Sequence, residues 1–558
     1  MGKTDLYLGC DVGGTHTDAV LIGGGKIVAR HKAVTNHEDL LSSVRSAVRE
    51  VAAGADVKRI RRVNLSTTLS TNAIVQDTID PVCVIVSAGP GIDPESHRIG
   101  TEYHVIGGSI DHRGKEIAPL DAKALARIAA GTAGGKIRAF AAVTKFSTRN
   151  PDHEKMIASK VEKGAECITL GHRLSGQLSF PRRIVTSYYN SAVWRLYNGF
   201  CDAIEKNLSE LGIEGEINVL KADGGTIPFA LSRYLPVESI LSGPAASVMG
   251  VAALCDMKGD AVMLDIGGTT TDIALFADGV PLIEKDGISL RSHPTLVRAL
   301  ATRSIGIGGD SVIRVAGGGV TVGPERKGPP VAAGGREPAL MDAFNYLKIT
   351  DFMDTGASRK GIAALAKEHR GLTAERLAGS AIDYAVAAIK GEVDAMLGEV
   401  NNRPVYTIHE MIEGRTIAPK KIYIMGGPAG AFRERIAGAF GVAAVLPGHY
   451  DVANAIGAAM AKTTVEIELF ADTGRGTLLI PAIGVKEKTP QGYRLEEAER
   501  DIRARLARHL AELGVTVRDE DTEIIESSSF NMVEGFYASG KDIRVKCQIK
   551  PGVIGRVS

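Results

Sequence analysis

The sequence predicts an α/β protein built from two similar halves that face each other across a cleft, with a small α+β segment appended at its C-terminal end. Three observations predict this. DVGGTHTDAVL at residues 11–21 returns as DIGGTTTDIAL at residues 265–275, each copy flanked by apolar runs. Short apolar runs alternate with longer helix-period stretches between and after the copies, the pattern of sheets covered by helices and mainly parallel. Near residue 466 the composition shifts toward charge.

The first 35 residues read as three strands. LYLGCDV ends in GGT, DAVLI follows, GGG is a turn, and KIVARHKAV is the third run. Residues 38–54 place Leu40, Leu41, Val44, Val48 and Val51 at helical spacing. The second copy, AVMLDIGGTTTDIALFADGVPLIEKDGI, repeats the strand–turn–strand–turn–strand order. A repeat separated this widely is no solenoid and marks two facing halves. Between the copies, 82–87, 139–143, 166–170 and 216–220 read as buried strands, and 121–130, 151–163 and 182–210 as helices. Residues 305–340, rich in Gly and Pro, read as loop or site rim. A helix is expected at 374–400, a strand running into Gly426, and an Ala-rich helix at 451–463. The tail carries the helical YRLEEAERDIRARLARHLAEL and then the β-like TEIIESSSF and IRVKCQIK. Regions 1–180, 181–465 and 466–558 follow as the expected organisation.

Composition narrows the function classes. A chain of 558 residues suggests three or four units at about 100–200 residues each. The formal net charge of +1 supplies no field for nucleic acid or anionic membrane, so any polyanion must be held by local geometry. The start has no signal-like apolar region, and no run approaches the roughly 20 apolar residues of a membrane span. The six cysteines form no CxxC pair and sit mostly in apolar runs, which suits reduced thiols in the cytoplasm.

The repeated motif carries chemistry. Asp11 ends a buried strand, where a carboxylate is costly unless it meets a cation. Gly13 and Gly14 let a phosphate approach backbone N–H groups, and Thr15 and Thr17 add hydroxyls. Asp265, Gly267, Gly268 and Thr269 repeat Asp11, Gly13, Gly14 and Thr15, and Thr270, at the place of His16, adds a further hydroxyl. An acid to hold hydrated Mg²⁺ beside a phosphate-cradling turn, supplied twice, would grip terminal phosphates from both sides of a closing cleft. A single Asp-Xaa-Gly-Gly is often only a hairpin turn; two copies in matching context argue against that. In KKIYIMGGPAGAF, Gly426 and Gly427 suit close approach of a base or ribose. The small-residue segments SILSGPAASVMG and DVANAIGAAMA suit closely packed helices, as a hinge requires.

At these residues the chain resembles the superfamily of actin, hexokinases and heat-shock chaperone ATPases. More narrowly it resembles the hydantoinase A/5-oxoprolinase family, which includes acetone and acetophenone carboxylase subunits. DVGGTHTD, STTLSTNAIV, ITLGH, ADGGT, ESILSGPAASVMG, DIGGTTTDIAL, SIGIGGDS and GGREPALMDA carry the resemblance over about residues 5–465. It implies duplicated ribonuclease H-like domains around a central nucleotide cleft. It also implies ATP with Mg²⁺ as cofactors, Asp11 and Asp265 positioning the metal, and adenosine bordered by Gly426 and Gly427. The implied activity is ATP-dependent activation of a cyclic amide carbonyl, of 5-oxoproline, hydantoin or lactam type, for ring opening. A ketone substrate, a hydantoinase B-like partner subunit and a homo-oligomer are further possibilities within the family. The alternatives are a small-molecule kinase or carboxylase subunit of the same fold, or an ATP-driven switch without turnover. His16, Leu65–Ser66 and GGPAGAF depart from the family's usual residues.

Individual residues leave alternatives open. Asp18 and Asp272 are candidate catalytic groups or Asx caps of the turns. His16 touches substrate or lies on the loop surface. His172 is a pocket residue or, more in keeping with its strand-end position, a satisfied structural histidine. Asp223 and Asp310 face ligand or close loops, and Arg336 pairs with Glu337 at the rim. The GKT at Gly2–Thr4 lacks the upstream strand and first Gly of a P-loop, and GIGGD at 306–310 lacks the βαβ context of a dinucleotide fingerprint.

Overall fold

Leu6–Val12 (β1) is buried on both faces apart from Tyr7, so it can only be the centre of a sheet. The computed structural model describes residues 5–36, 39–132, 134–284, 287–317, 319–402, 416–515, 517–534 and 537–558; the GKT of Gly2–Thr4 lies outside them. β1 pairs antiparallel with His16–Gly23 (β2), which pairs antiparallel with Lys26–Val34 (β3). Helix α1 (Leu40–Ala52) is capped by the Asp39 carboxylate and buries Val44, Ala47, Val48 and Val51, the stripe read from the sequence. Ile60–Thr67 (β4) then lies parallel to β1 on its other side.

An inserted four-stranded sheet follows. Val82–Ser87 (β5), Glu102–Val105 (β6), Ala139–Thr144 (β7) and Cys167–Leu170 (β8) run parallel in the order β8-β7-β5-β6. The long helix α2 (Phe180–Glu210) covers it and leads to Glu216–Leu220 (β9) and Thr226–Pro228 (β10). These complete the first sheet as β10-β9-β4-β1-β2-β3, so that sheet draws strands from both sides of residue 180.

Helix α3 (Ser242–Leu254) leads into the second half. Ala261–Ile266 (β11) and Thr271–Ala277 (β12) form the second hairpin in the register of the first. Asp265 faces Asp272 across the strands as Asp11 faces Asp18. The expected third strand is not continuous. Val280–Pro281 pairs with the end of β12, and Thr302–Ile305 (β13), arriving after an excursion, pairs with its beginning. Helix α4 (Ala374–Asn401) is apolar along one face and packs on this half. Lys421–Met425 (β14), helix α5 (Ala429–Phe440) and Ala443–Val445 (β15) finish the sheet, with β14 parallel to β11. Both main sheets therefore mix antiparallel hairpins with parallel strands; only the inserted sheet has the parallel arrangement the alternation predicts.

Helix α6 (Ala453–Met460) crosses α3 between the two halves with backbones nearly touching. A Cβ on Gly457 would stand 2.0 Å from the Ala246 carbonyl oxygen, and one on Gly9 of β1 2.1 Å from that of Ala455. The tail is a five-stranded sheet of Glu466–Asp472 (β16), Thr477–Ile480 (β17), Val485–Lys488 (β18), Thr522–Glu534 (β19) and Tyr537–Ile549 (β20), in the order β18-β17-β16-β20-β19. Helix α7 (Leu495–Glu512) packs on it through Ala498, Ile502, Leu506 and Leu510. All six cysteines are unpaired, five of them buried. Among the described residues no helix is long and apolar enough to cross a membrane.

Candidate active site

The two hairpins turn at their Gly-Gly pairs in the same way. The Gly13 N–H donates to the His16 carbonyl at 3.0 Å, and the Gly267 N–H to that of Thr270 at 2.9 Å. Both turns open onto one cavity of about 460 Å³. Asp11, Asp18, Asp265 and Asp272 line it, with Gly13, Gly14, Thr15, Gly267, Gly268, Thr269, Thr270, Gly426 and Gly427. The segment Gly308–Asp310 straps the second turn, through Gly309 N–H to Gly267 O (2.9 Å) and Asp310 N–H to Gly268 O (2.6 Å).

The four carboxylates sit in different surroundings. Asp11 is buried, and its Oδ1 has no hydrogen-bond partner. Burial raises its carboxyl to about 7, against a bond from the Ser66 hydroxyl. Asp265 Oδ2 accepts from Ser247 Oγ at 2.6 Å and from Asn454 Nδ2 at 3.1 Å. Burial also lifts Asp18, but Lys32 Nζ opposes it from 2.7 Å and 2.9 Å. Asp272 has no cation partner among the described residues. Burial, reinforced by the Asp265 charge, raises it to about 7 against the Ser304 hydroxyl.

Thr17 is not at the cavity. The alternation of β2 turns it inward, where it is fully buried against Thr35 Oγ1 at 3.0 Å. Thr35 Oγ1 in turn donates to Gly13 O at 3.0 Å, so Thr17 braces the turn from behind. Gly426, at φ 93°, lies under the site; a Cβ there would meet Ile266 O at 2.2 Å and Asp265 Oδ1 at 2.7 Å. Gly427 has open space beside it.

His16 lines the cavity, and burial, with Lys32 and Arg326 beside it, lowers its imidazole below the usual histidine value. Asp310 lines it too, paired with Arg326 at 3.1 Å. His172 is structural, with its buried Nδ1 2.6 Å from Glu154 Oε2. Asp223 pairs with Lys221 at 2.9 Å outside this cavity. Glu337 pairs with Arg314 at 2.5 Å and Lys327 at 3.4 Å, not with Arg336.

Sequence reading missed Lys32, Ser247, Asn454 and Phe352. Lys32 sits among alternating polar residues of β3 that nothing in the pattern separates. Ser247 and Asn454 lie in the small-residue segments that pack α3 on α6; a polar side chain inside such a segment was the available signal. Phe352, Met341 and Pro428 are apolar residues of the lining that the cavity shares with Gly427.

Two family models match the chain: the hydantoinase/oxoprolinase model over residues 183–467 and the hydantoinase/oxoprolinase N-terminal region over residues 7–164. The caprolactamase subunit alpha of Pseudomonas jessenii is 27% identical over 379 residues, covering 62% of this chain and 54% of that protein. The chain thus spans about half the length of that curated relative. The nucleotide-free structure of an acetone carboxylase superposes with a TM-score of 0.68 at 16% identity, covering 98% of this chain and 88% of the other. An ATP-dependent caprolactamase from Pseudomonas jessenii superposes with a TM-score of 0.67 at 19% identity, covering 99% and 88%. Both likenesses establish the fold, the two-half architecture the repeat predicts.

Proposed function

The chain belongs to the hydantoinase/oxoprolinase family, and from that premise we propose that it is an ATP-dependent hydrolase that activates the carbonyl of a cyclic amide for ring opening. The observation that carries the reading is the pair of superposable Asp-Xaa-Gly-Gly-Thr hairpins opening onto one cavity. The likeness to the caprolactamase subunit favours a cyclic amide over a ketone as substrate.

In this reading the two turns hold the phosphates of ATP from opposite sides, and the apolar lining residues Phe352, Met341 and Pro428 take the adenine. Phosphoryl transfer to the amide oxygen makes the carbonyl carbon a good electrophile. Water then adds to that carbon and the C–N bond breaks as the ring nitrogen takes a proton, leaving an acyl phosphate that a second water hydrolyses to carboxylate and phosphate. Asp11 and Asp265 are the residues that would hold Mg²⁺. The unpartnered, buried Asp11 Oδ1 fits a cation. Among the described residues no cage of three or more His, Cys, Asp or Glu forms, which suits an ion held by one or two carboxylates, phosphate and water. When bound, the ion would neutralise charge on the phosphates. Asp272, raised to about 7 by burial, and Asp18, lifted by burial and hydrogen-bonded to Lys32, are the groups placed to move a proton. Because the curated relative is named as a subunit, a partner chain that completes the hydrolysis belongs to the proposal.

The test is ADP release from Mg-ATP, alone and with 5-oxoproline, hydantoins, lactams, or ketones plus bicarbonate, with Asp265→Ala as control. Stimulation by a cyclic amide, abolished in Asp265→Ala, is expected. Stimulation only by ketone with bicarbonate would instead establish a carboxylase subunit, and a phosphorylated product without ring opening a kinase. Tight ATP binding with no stimulation by any compound would leave a missing partner subunit or the switch.

A further inference from the structure

A second cavity, of about 90 Å³, lies where the first sheet meets the tail. That is several times the roughly 10–15 Å³ that seats one water, so it takes a ligand of a few heavy atoms. Its floor is the loop after β9, at the same C-terminal edge of the first sheet as Asp11. β9 and β1 are separated only by β4, two strand spacings or about 10 Å.

The cavity carries both signs of charge between aliphatic walls formed by Leu231, Leu235, Leu296 and Ile467. Some of the charge is internally matched. Lys221 and Asp223, both buried, pair at 2.9 Å. Arg298 pairs with Glu466 and donates to Gln548 Oε1 at 2.8 Å. Three groups are left over. The nearest cation to the Glu238 carboxylate among the described residues is Lys221 Nζ, 4.0 Å away and past hydrogen-bond reach. The Arg298 Nε–H is buried without a partner. Arg173, exposed at the rim, has no ion pair among the described residues.

A cluster that only tied the tail to the body would match its charges, since a buried unpaired ion is costly. Here, around an apolar gap, the Glu238 carboxylate keeps only the 4.0 Å contact with Lys221, the Arg298 Nε–H has no acceptor although that guanidinium is paired with Glu466, and Arg173 at the exposed rim has no ion pair among the described residues. Burial and the neighbouring Asp223 and Glu466 carboxylates lift the Glu238 carboxyl, with Lys221 and Arg298 opposing.

We propose that this cavity is a second binding site, for a small zwitterionic amino acid whose ammonium meets Glu238 and whose carboxylate meets Arg173 and the Arg298 Nε–H. The ligand class rests on the hydrolase reading with a lactam as its substrate, because opening a lactam yields one molecule with an ammonium at one end and a carboxylate at the other. A site for such a molecule about 10 Å along the sheet edge from Asp11 is placed to sense or retain the product.

Calorimetric titration without nucleotide tests this, using glycine, β-alanine and γ-aminobutyrate, with acetate and methylamine as single-charge controls. At least one amino acid is expected to bind and neither control to match it. Arg173→Gln at the exposed rim and Glu238→Gln should each weaken binding at least about tenfold, the loss of one charge-assisted hydrogen bond. Leu231→Trp, which fills the gap and leaves the ion pairs in place, should abolish it. Absence of amino-acid binding to the unmodified protein, equal binding of a control, or indifference to Arg173→Gln and Leu231→Trp would overturn the site. ADP release measured on the same samples separates the two readings. Amino-acid binding without amide-stimulated release removes the stand-alone hydrolase and keeps the second site, and stimulated release without amino-acid binding sinks the second site alone.

Discussion

Lys32 breaks the symmetry of the two hairpins. Asp18 and Asp272 occupy the same register position, yet only Asp18 is gripped by a lysine, which also donates to the Asp451 carbonyl at 3.0 Å. Lys32→Met should therefore lower ATP turnover roughly tenfold to a hundredfold, the worth of a hydrogen bond between charged groups. Lys32→Arg should recover part of it, and unchanged turnover in Lys32→Met would remove the residue from the mechanism. Glu468 of β16 supplies a pH-dependent prediction. Burial raises its carboxyl to about 7, with Lys546 opposing. Between the usual glutamate range and about 7 the folded chain keeps this proton and the unfolded chain has lost it. The contribution to stability is full below that window, falls as pH rises through it, and is flat above. Glu468→Gln keeps the neutral form throughout, so it should raise the unfolding temperature at pH 8 more than at pH 5, by about 1–3 kcal/mol at the upper end. Equal shifts at both pH values would contradict it. At this scale the sequence showed the residues that repeat, because duplication marks Asp11 and Asp265 against any background. It misplaced Thr17 because strand alternation, not residue type, decides which hydroxyl faces the cavity.

At the scale of elements, the crossing of α3 on α6 depends on absent side chains. Gly457→Ala would press a methyl 2.0 Å from Ala246 O and 2.4 Å from Gly250 N, backbone atoms that cannot rotate away. It should cost at least about 1–3 kcal/mol in thermal or denaturant unfolding, as overpacking does. Gly391→Ala is the contrast. Gly391 lies on the exposed face of α4 with nothing near its missing Cβ, so the change should stabilise by about 0.5–1 kcal/mol. If both substitutions behaved alike, close packing would not be what the glycines provide. The sequence made this crossing legible, since two segments so rich in Ala and Gly have little to bury except each other's backbone. The divided third strand of the second half was not legible. Its edge is filled by β13, which arrives after an excursion through Ser289–Leu300, and no local pattern announces which of two segments an edge accepts.

For the whole molecule, the tail is joined to the body at both of its ends. The sequence marks where it begins, because charge rises there, but the return of residues 551–558 carries no pattern of its own. Those residues leave the tail sheet and lie across the junction of the two halves. Ile554 N–H donates to Met460 O at 2.7 Å, Val557 N–H to Ala253 O at 3.0 Å, and Ser558 N–H to Gly25 O at 2.9 Å. These acceptors end α6, sit near the end of α3, and form the β2–β3 turn. Val557 is buried in one apolar cluster with Val20, Ala253, Ala455 and Ala459, a cluster that draws on the first sheet and both crossing helices. Val557→Asp would place a carboxylate in that apolar cluster, a change that costs several kcal/mol, about 3 or more. Trp194, the single tryptophan, lies in α2 within the body and reports body unfolding separately from the tail. If the terminal segment clamps the junction, the Trp194 transition in Val557→Asp shifts to lower temperature, and Mg-ATP affinity falls with it because α3 and α6 supply Ser247 and Asn454 to Asp265. A Trp194 transition that stays in place while the tail melts early would show that the two parts unfold independently, and the clamp would have to be abandoned.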